Sequence, residues 1–221
     1  MPIHKLILVS ALGTVGALAA PIVIGEPATG ANAFPFNWIW GTRYQQVYSA
    51  SQFPGPIDIG KIIFYADWVQ RDGNLLAPTT WWIYLSTTPY AVNDIDSRPF
   101  DDNLGPDNML FAVVTGDVVI PDVWVISGNT FHYNPGAGNL LMDIRVSRDG
   151  LGKSGNLFLN ARNGDAGGVF SRYHNFGIGF DNYGLVTGFD VGPSVIPEPG
   201  AFALVGLGLA SLALLRRKRS A

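Results

Sequence analysis

Short segments in which apolar and polar residues alternate recur through the middle of the chain, with no helical window between them. The clearest is TTWWIYLST, which places Trp81, Ile83 and Leu85 on one face of a strand and Trp82 and Tyr84 on the other. Because successive side chains of a β-strand point to opposite faces, a period of two predicts a strand with one face in a core. The pattern therefore indicates that the middle of the chain is β-structure.

About ten such segments are present, separated by glycine, asparagine and aspartate turns such as RDGN, SGN and NPGAGN. In LLMDIRVS the residues predicted to point inward are Leu140, Met142, Ile144 and Val146, and those predicted to point outward are Leu141, Asp143, Arg145 and Ser147. The other candidate strands are 44–48, 57–65, 110–115, 118–127, 130–133, 157–161, 169–173 and 185–191. Pro121 indicates an edge strand or a bulge. The pattern favours an all-β fold, an antiparallel β-sandwich of jelly-roll-like type.

Composition excludes several classes of function. The chain has no cysteine, which excludes disulfide bonds, thiolate nucleophiles and cysteine-type zinc sites. Between Phe34 and Ile196, nine lysines and arginines stand against fifteen aspartates, and no glutamate is present. Because binding to a phosphate backbone needs clustered cations, this acidic balance argues against a nucleic-acid partner.

The first 33 residues have the layout of a secretory signal peptide. Lys5 provides a short positive region, and the apolar stretch from Leu6 to Ala20 is too short and too one-sidedly flanked for a spanning helix. Two A-x-A cleavage patterns end at Ala33 and, nearer the apolar stretch, at Ala19. We therefore expect residues 1–33 to be a signal peptide, cleaved after Ala33 or Ala19, and the protein to be exported.

A second apolar segment, fifteen residues long, runs from Ala201 to Leu215. As a helix it spans roughly 22 Å, and snorkelling arginines and two upstream apolar residues lengthen it toward the ~30 Å hydrocarbon core. The basic cluster that follows consists of Arg216, Arg217, Lys218 and Arg219. Because basic residues remain on the cytoplasmic side, we expect a single C-terminal transmembrane helix with the domain outside.

The triplet Pro197, Glu198 and Pro199 lies just ahead of this segment. Both prolines fix φ and lack an N–H, so the backbone is extended there and holds Glu198 where a protease can bind it. The whole stretch VIPEPGAFALVGLGLASLALLRRKR resembles a PEP-CTERM sorting tail, with motif, glycine- and leucine-rich helix and arginine cluster in order. The resemblance implies that an exosortase, a membrane-embedded cysteine protease-transpeptidase, recognises the triplet and removes the tail. Such proteins occur in Gram-negative bacteria that make exopolysaccharide.

Three internal stretches, which begin RYQQVYSAS, IYLSTTPYA and FHYNPGAGN, resemble the exported domains often found ahead of such tails. That resemblance implies a β-rich exported module and no particular activity. The expected organisation is a signal peptide at 1–33, a β-sandwich domain at 34–194 and a sorting and anchor segment at 195–221. The protein would be anchored in the inner membrane before processing, and would then reach the cell surface or the extracellular matrix.

The most polar stretch, residues 93–108, has the sequence NDIDSRPFDDNLGPDN. Its five aspartates, Asp94, Asp96, Asp101, Asp102 and Asp107, lie between two predicted strands. Oxygen-rich loops suit calcium, which takes 6–8 oxygen ligands, although the spacing is not that of an EF-hand. The alternative is a solvated loop whose aspartate and asparagine side chains stabilise turns. Calcium is therefore one of two hypotheses for this stretch.

No catalytic motif is found, so we expect a protein without enzymatic activity. GLGKSG at 150–155 lacks the first glycine of a phosphate-binding loop, and no G-x-S-x-G is present. The six tryptophans are the remaining indication of a function. Trp81 and Trp82 are neighbours in a strand, so one of the two must face away from the core of its sheet. An exposed tryptophan suits stacking on a sugar ring, so we expect a structural or carbohydrate-binding module. The alternative is a polysaccharide lyase or hydrolase that uses aspartates or His132 and Tyr133.

Overall fold

The computed structural model describes residues 20–25, 30–67, 73–95, 98–163, 170–176, 179–181 and 183–193. These residues form thirteen β-strands and three 3-10 helices. The strands are β1 (Ile22–Ile24), β2 (Ala31–Asn32), β3 (Arg43–Tyr48), β4 (Ile57–Tyr65), β5 (Thr80–Thr88), β6 (Met109–Thr115), β7 (Val123–Tyr133), β8 (Asn139–Val146), β9 (Leu159–Asn163), β10 (Phe170–His174), β11 (Gly179–Asp181), β12 (Tyr183–Leu185) and β13 (Thr187–Pro193). The helices are Ala50–Gln52, Phe100–Asn103 and Arg148–Gly150. The fold is mostly β, as predicted.

The strands pair antiparallel in two large sheets and one small sheet. The first sheet has the order β1-β13-β4-β7, the second β11-β10-β3-β8-β5-β6, and the small sheet β12-β9-β2. The chain crosses between the large sheets from β3 to β4, from β4 to β5, from β6 to β7 and from β7 to β8. The observed fold is therefore mostly β with antiparallel sheets, and the jelly-roll-like type stays a prediction of the turn and strand pattern.

The two large sheets share one hydrophobic core. The predicted faces of β5 and β8 are confirmed, because their inward residues all lie in this core: Trp81, Ile83, Leu85, Leu140, Met142, Ile144 and Val146. The first sheet contributes Ile59, Ile62, Phe64 and Phe189 from its central strands. The apolar faces of the two large sheets therefore pack against each other, and their outer faces contact solvent or a covering loop.

Some strand boundaries differ from the prediction. Residues 123–127 of the first predicted segment and all of 130–133 lie in the single strand β7, and Pro121 precedes it. β7 lies at the edge of the first sheet, where a strand tolerates a neighbouring proline. The strands β1, β2, β11 and β12 are two or three residues long. Segments of two or three residues are too short to show an alternation of apolar and polar residues. They are identified as strands only by their pairing with distant strands.

A polar network lies inside the core and joins β3 to the backbone at the end of β12. The side chain of Gln46 donates from Nε2 to the carbonyl oxygen of Leu185 at 2.9 Å, and its Oε1 accepts from the Leu185 N–H at 2.8 Å. The same oxygen accepts from the Tyr44 hydroxyl at 2.6 Å. Nearby, the hydroxyls of Tyr48 and Thr187 pair at 2.8 Å, and burial raises the pKa of Tyr48 well above its usual value. These fully buried contacts substitute for strand pairing between the sheets.

The fold begins upstream of Phe34, the expected start of the domain. β1 pairs with β13, β2 pairs with β9, and Ala33 is buried. Residues that the sequence analysis assigns to the signal peptide therefore belong to the folded domain. Residues 1–19, which carry the expected apolar stretch, lie outside the described residues.

The expected membrane segment, Ala201 to Leu215, also lies outside the described residues. Within the part of the chain that the structure describes, no helix is long and apolar enough to cross a membrane.

Candidate functional site

The sorting triplet Pro197, Glu198 and Pro199 and the basic cluster at 216–219 fall outside the described residues. The geometry available for a ligand site is therefore that of the β-domain. Its candidate features are exposed aromatic side chains, an acidic loop and His132.

The Trp81 and Trp82 side chains point to opposite faces of the second sheet, as the strand pattern predicts. Trp81 is fully buried, its Nε1 donates to the carbonyl oxygen of Pro35 at 3.0 Å, and its ring packs against Phe36. Trp82 is half-buried on the outer face. The pair therefore divides into a core residue and one residue that remains available to a ligand.

Trp82 lies in a row of aromatic and charged side chains on that outer face. It stands opposite Arg145 of β8 and the exposed Val113 of β6. The Arg145 guanidinium lies 4.2 Å from the centre of the Tyr84 ring and donates to Asp143 at 3.1 Å. Asp143 is almost fully buried and also pairs with Arg43, so the row has fixed charges beside its rings.

A more exposed aromatic surface is formed by Trp38 and Trp40, called here the tryptophan pair. Trp38 is 39% exposed and Trp40 is 64% exposed, and their rings stack with centres 5.6 Å apart and an interplanar angle of 18°. The edge of Phe34 contacts both rings, and that of Phe158 contacts Trp38. These are the largest exposed aromatic side chains among the described residues.

The segment that carries the tryptophan pair is held rigidly. Ile39, between the two tryptophans, is fully buried, its N–H donates to the Lys153 carbonyl at 3.1 Å, and its carbonyl accepts from the Gly152 N–H at 2.9 Å. Just after Trp40, the Asn175 side chain accepts from two backbone N–H groups at 2.8 Å each. Sequence reasoning passed over this pair, although the W-x-W spacing in NWIWG places both rings on one face of an extended segment.

The acidic loop, residues 93–108, covers the outer face of the second sheet. Ile95 and Leu104 from the loop pack with Val47 of β3 and Leu141 of β8 in a second, smaller cluster. Asn103 is fully buried, and its Nδ2 donates to the Gln45 side chain at 2.9 Å. The loop is therefore a packed cover and not only a solvated turn.

The described aspartates of this loop do not converge. Asp94 pairs with Arg98 at 3.2 Å, Asp101 pairs with Arg43 at 2.9 Å, and Asp107 accepts from the Thr87 N–H at 2.7 Å. Asp102 is exposed, and Asp96 lies outside the described residues. Among the residues that the structure describes, no group of three or more Asp, Glu or His side chains is placed to hold a metal ion. Calcium binding by this loop stays a prediction.

A thermal scan separates the two hypotheses for the loop. An ion that binds only the native state must raise the melting temperature, by an amount set by its concentration relative to Kd. Since three of the four described aspartates, Asp94, Asp101 and Asp107, already have arginine or backbone partners, we expect unfolding curves in excess calcium and in excess chelator to coincide within about 1 °C. An upward shift in calcium that disappears in an Asp101→Asn variant would instead establish the calcium site.

His132 lies on the outer face of the first sheet and pairs with Asp58 of the neighbouring strand. Its Nδ1 lies 2.6 Å from Asp58 Oδ1, and its side chain is 78% exposed. Together with Asp107 and Asn134, His132 also lines a cavity of about 300 Å³. Tyr133 points the opposite way, into the core, where its hydroxyl donates to the Gly138 carbonyl at 2.8 Å. His132 and Tyr133 therefore do not form a common site.

Comparison with known proteins identifies one segment of the chain. The PEP-CTERM protein-sorting motif matches residues 195–219, which confirms the resemblance seen in the tail. No curated protein and no solved structure matches the chain.

Proposed function

We propose that this exported protein binds a neutral extracellular polysaccharide through the tryptophan pair of its β-domain. The sorting motif at 195–219 implies export and processing by an exosortase. In this proposal the domain is held at the cell surface or in the extracellular matrix through its contact with polysaccharide. It acts as a binding module without catalysing a reaction.

The exposure of Trp38 and Trp40 carries this proposal. Burying one such side chain would stabilise the fold by about 2 kcal/mol, and the fold leaves both in contact with solvent. Large exposed apolar groups on a rigid segment mark interaction surfaces. Flat, pre-positioned rings fit the apolar face of a pyranose and lose little entropy on binding, because Ile39 already fixes their backbone.

The surroundings favour a sugar ligand over an apolar or anionic one. Ser154 stands opposite Trp38 in an isolated bridge, and both Ser154 and the adjacent Lys153, whose Nζ donates to the Pro78 carbonyl at 3.2 Å, are exposed. These groups can exchange hydrogen bonds with hydroxyl groups. The excess of aspartates over lysines and arginines disfavours a highly anionic polymer by repulsion.

Affinity electrophoresis of the full chain in mild detergent, through gels that contain defined neutral polysaccharides, tests the proposal. We expect retardation by at least one of them, and a loss of affinity of about tenfold or more, equivalent to about 1.4 kcal/mol, in Trp38→Ala and in Trp40→Ala. Val119→Ala is the control, because that side chain is 71% exposed and belongs to neither aromatic surface.

Trp82→Ala distinguishes the two aromatic surfaces in the same gels. If binding is lost in Trp82→Ala and kept in both variants of the tryptophan pair, the ligand lies on the outer face of the second sheet. The absence of retardation by every neutral polysaccharide would contradict the proposal.

A second candidate function is polysaccharide cleavage by His132. Asp58 orients the imidazole through Nδ1, which leaves Nε2 available as a base beside the cavity that also contains Asp107. Release of reducing ends or of unsaturated sugars from a polysaccharide, lost in His132→Ala, would favour this function.

A further inference from the structure

The two short strands ahead of Ala33 are built into the folded domain. Ile22, Val23 and Ile24 of β1 pair with Phe189, Gly188 and Thr187 of β13, and Ile24 is 1% exposed within the main core. β1 is the edge strand of the first sheet, so it covers the backbone groups of β13 on that side. Its removal would expose both the core beneath Ile24 and the edge of β13.

The residues directly before Phe34 make equally specific contacts. β2 pairs with β9, the Gly30 carbonyl accepts from the Ala161 N–H at 2.9 Å, and the Ala31 carbonyl accepts from the Tyr183 hydroxyl at 3.2 Å. The Asn32 side chain is 6% exposed and accepts from the Phe34 N–H at 3.0 Å. These residues complete the small sheet.

Cleavage after Ala33 would therefore damage the domain that it releases. It would remove β1 and β2 and leave a charged α-amino group on Phe34, which is 8% exposed and packs against Phe176. The partner that accepts from this nitrogen, Asn32, would be gone. A charge at a buried position without a partner is strongly unfavourable. Ala20, in contrast, is exposed and precedes β1, so a terminus there stays in water.

We propose that a signal peptidase cuts this chain after Ala19, so that the mature protein begins at Ala20. One water molecule hydrolyses the Ala19–Ala20 peptide bond and leaves a carboxylate on Ala19 and an amino group on Ala20. Ala17 and Ala19 supply the small residues that such a peptidase requires, at the end of the apolar stretch. The inference rests on the export contained in the proposed function, and it makes residues 20–33 part of the mature domain.

N-terminal sequencing and intact mass of the full chain, exported by a Gram-negative host, test the inference. We expect the mature chain to begin Ala-Pro-Ile-Val-Ile. A chain that begins at Phe34 would overturn the cleavage site and leave the proposed function in place. A chain that keeps Met1 would overturn both the inference and the export on which it rests.

Two matched variants test the site directly. Ala19→Lys places a long charged side chain next to the proposed scissile bond and should leave the precursor uncut, whereas Ala33→Lys should be processed like the parent. Processing is followed by mass and precedes folding, so the result does not depend on whether either variant folds. Cleavage that persists in Ala19→Lys and fails in Ala33→Lys would overturn the inference.

The stability of the mature protein gives an independent test. Ile24→Ala opens a cavity in the core, and we expect it to lower the melting temperature by about 5 °C or more. Val23→Ala, in the same strand but 42% exposed, should lower it by no more than about 2 °C. If both variants melt with the parent, β1 is absent from the mature protein and the inference is wrong.

Discussion

Replacing Pro197, Glu198 and Pro199 by alanine should abolish removal of the tail while the protein stays in the membrane. The substitution removes the carboxylate and both fixed φ angles, and alanine lets a helix extend upstream into the recognition segment. The apolar run from Ala201 to Leu215 is unchanged, so anchoring should survive. We thus expect the triplet to act as the recognition element and the apolar run to act as the anchor.

The measurement is an immunoblot of membrane and soluble fractions from a host that carries an exosortase. The triple variant should accumulate in the membrane at the length of the chain without its signal peptide. Ser194→Ala, just ahead of the matched motif, is the control, and it should be trimmed like the parent. Deletion of residues 201–221 should release the domain without sorting. If the triple variant is trimmed as fast as the parent, Pro-Glu-Pro is not what the exosortase reads.

Gln46→Leu should be the most destabilising substitution among the contacts described in the core. Leucine fills most of the same volume but leaves the N–H of Leu185 without its partner, in a site from which water is excluded. The Leu185 carbonyl loses one of two donors and keeps the Thr187 hydroxyl at 3.0 Å. The Tyr44 hydroxyl loses its acceptor as well. Each buried group that loses its partner costs about 1–3 kcal/mol, so we expect a loss of about 2–4 kcal/mol in the free energy of unfolding.

Urea unfolding followed by tryptophan fluorescence measures this loss. The matched control is Gln52→Leu on the exposed 3-10 helix Ala50–Gln52, which should change the free energy of unfolding by no more than about 0.5 kcal/mol. A loss below about 1 kcal/mol in Gln46→Leu would mean that the Leu185 backbone finds other partners, and that the network does not join the sheets as described.

The amino-acid sequence by itself determined the features that depend on neighbouring residues. The period of two in β5 and β8 is local, so it correctly separated Trp81 from Trp82 and placed Met142 and Ile144 in the core. The sorting tail is one contiguous stretch, so its triplet, apolar run and basic cluster could be recognised from the sequence alone. Strand periodicity and the turn residues also predicted the mostly β fold with antiparallel sheets.

Only the tertiary structure decided the features that depend on distant partners. In the acidic loop, Ile95 and Leu104 cover Val47 and Leu141, a packing that depends on strands outside the loop and that the loop's own sequence does not show. β1 and β2 are too short for a periodic signal and exist because β13 and β9 pair with them.

The tryptophan pair shows the same division between local pattern and distant contacts. The W-x-W spacing predicts that Trp38 and Trp40 share a face. Backbone hydrogen bonds from Ile39 to residues 152 and 153 turn that face toward solvent. Local periodicity determines which side chains lie together, and long-range packing determines which side is buried.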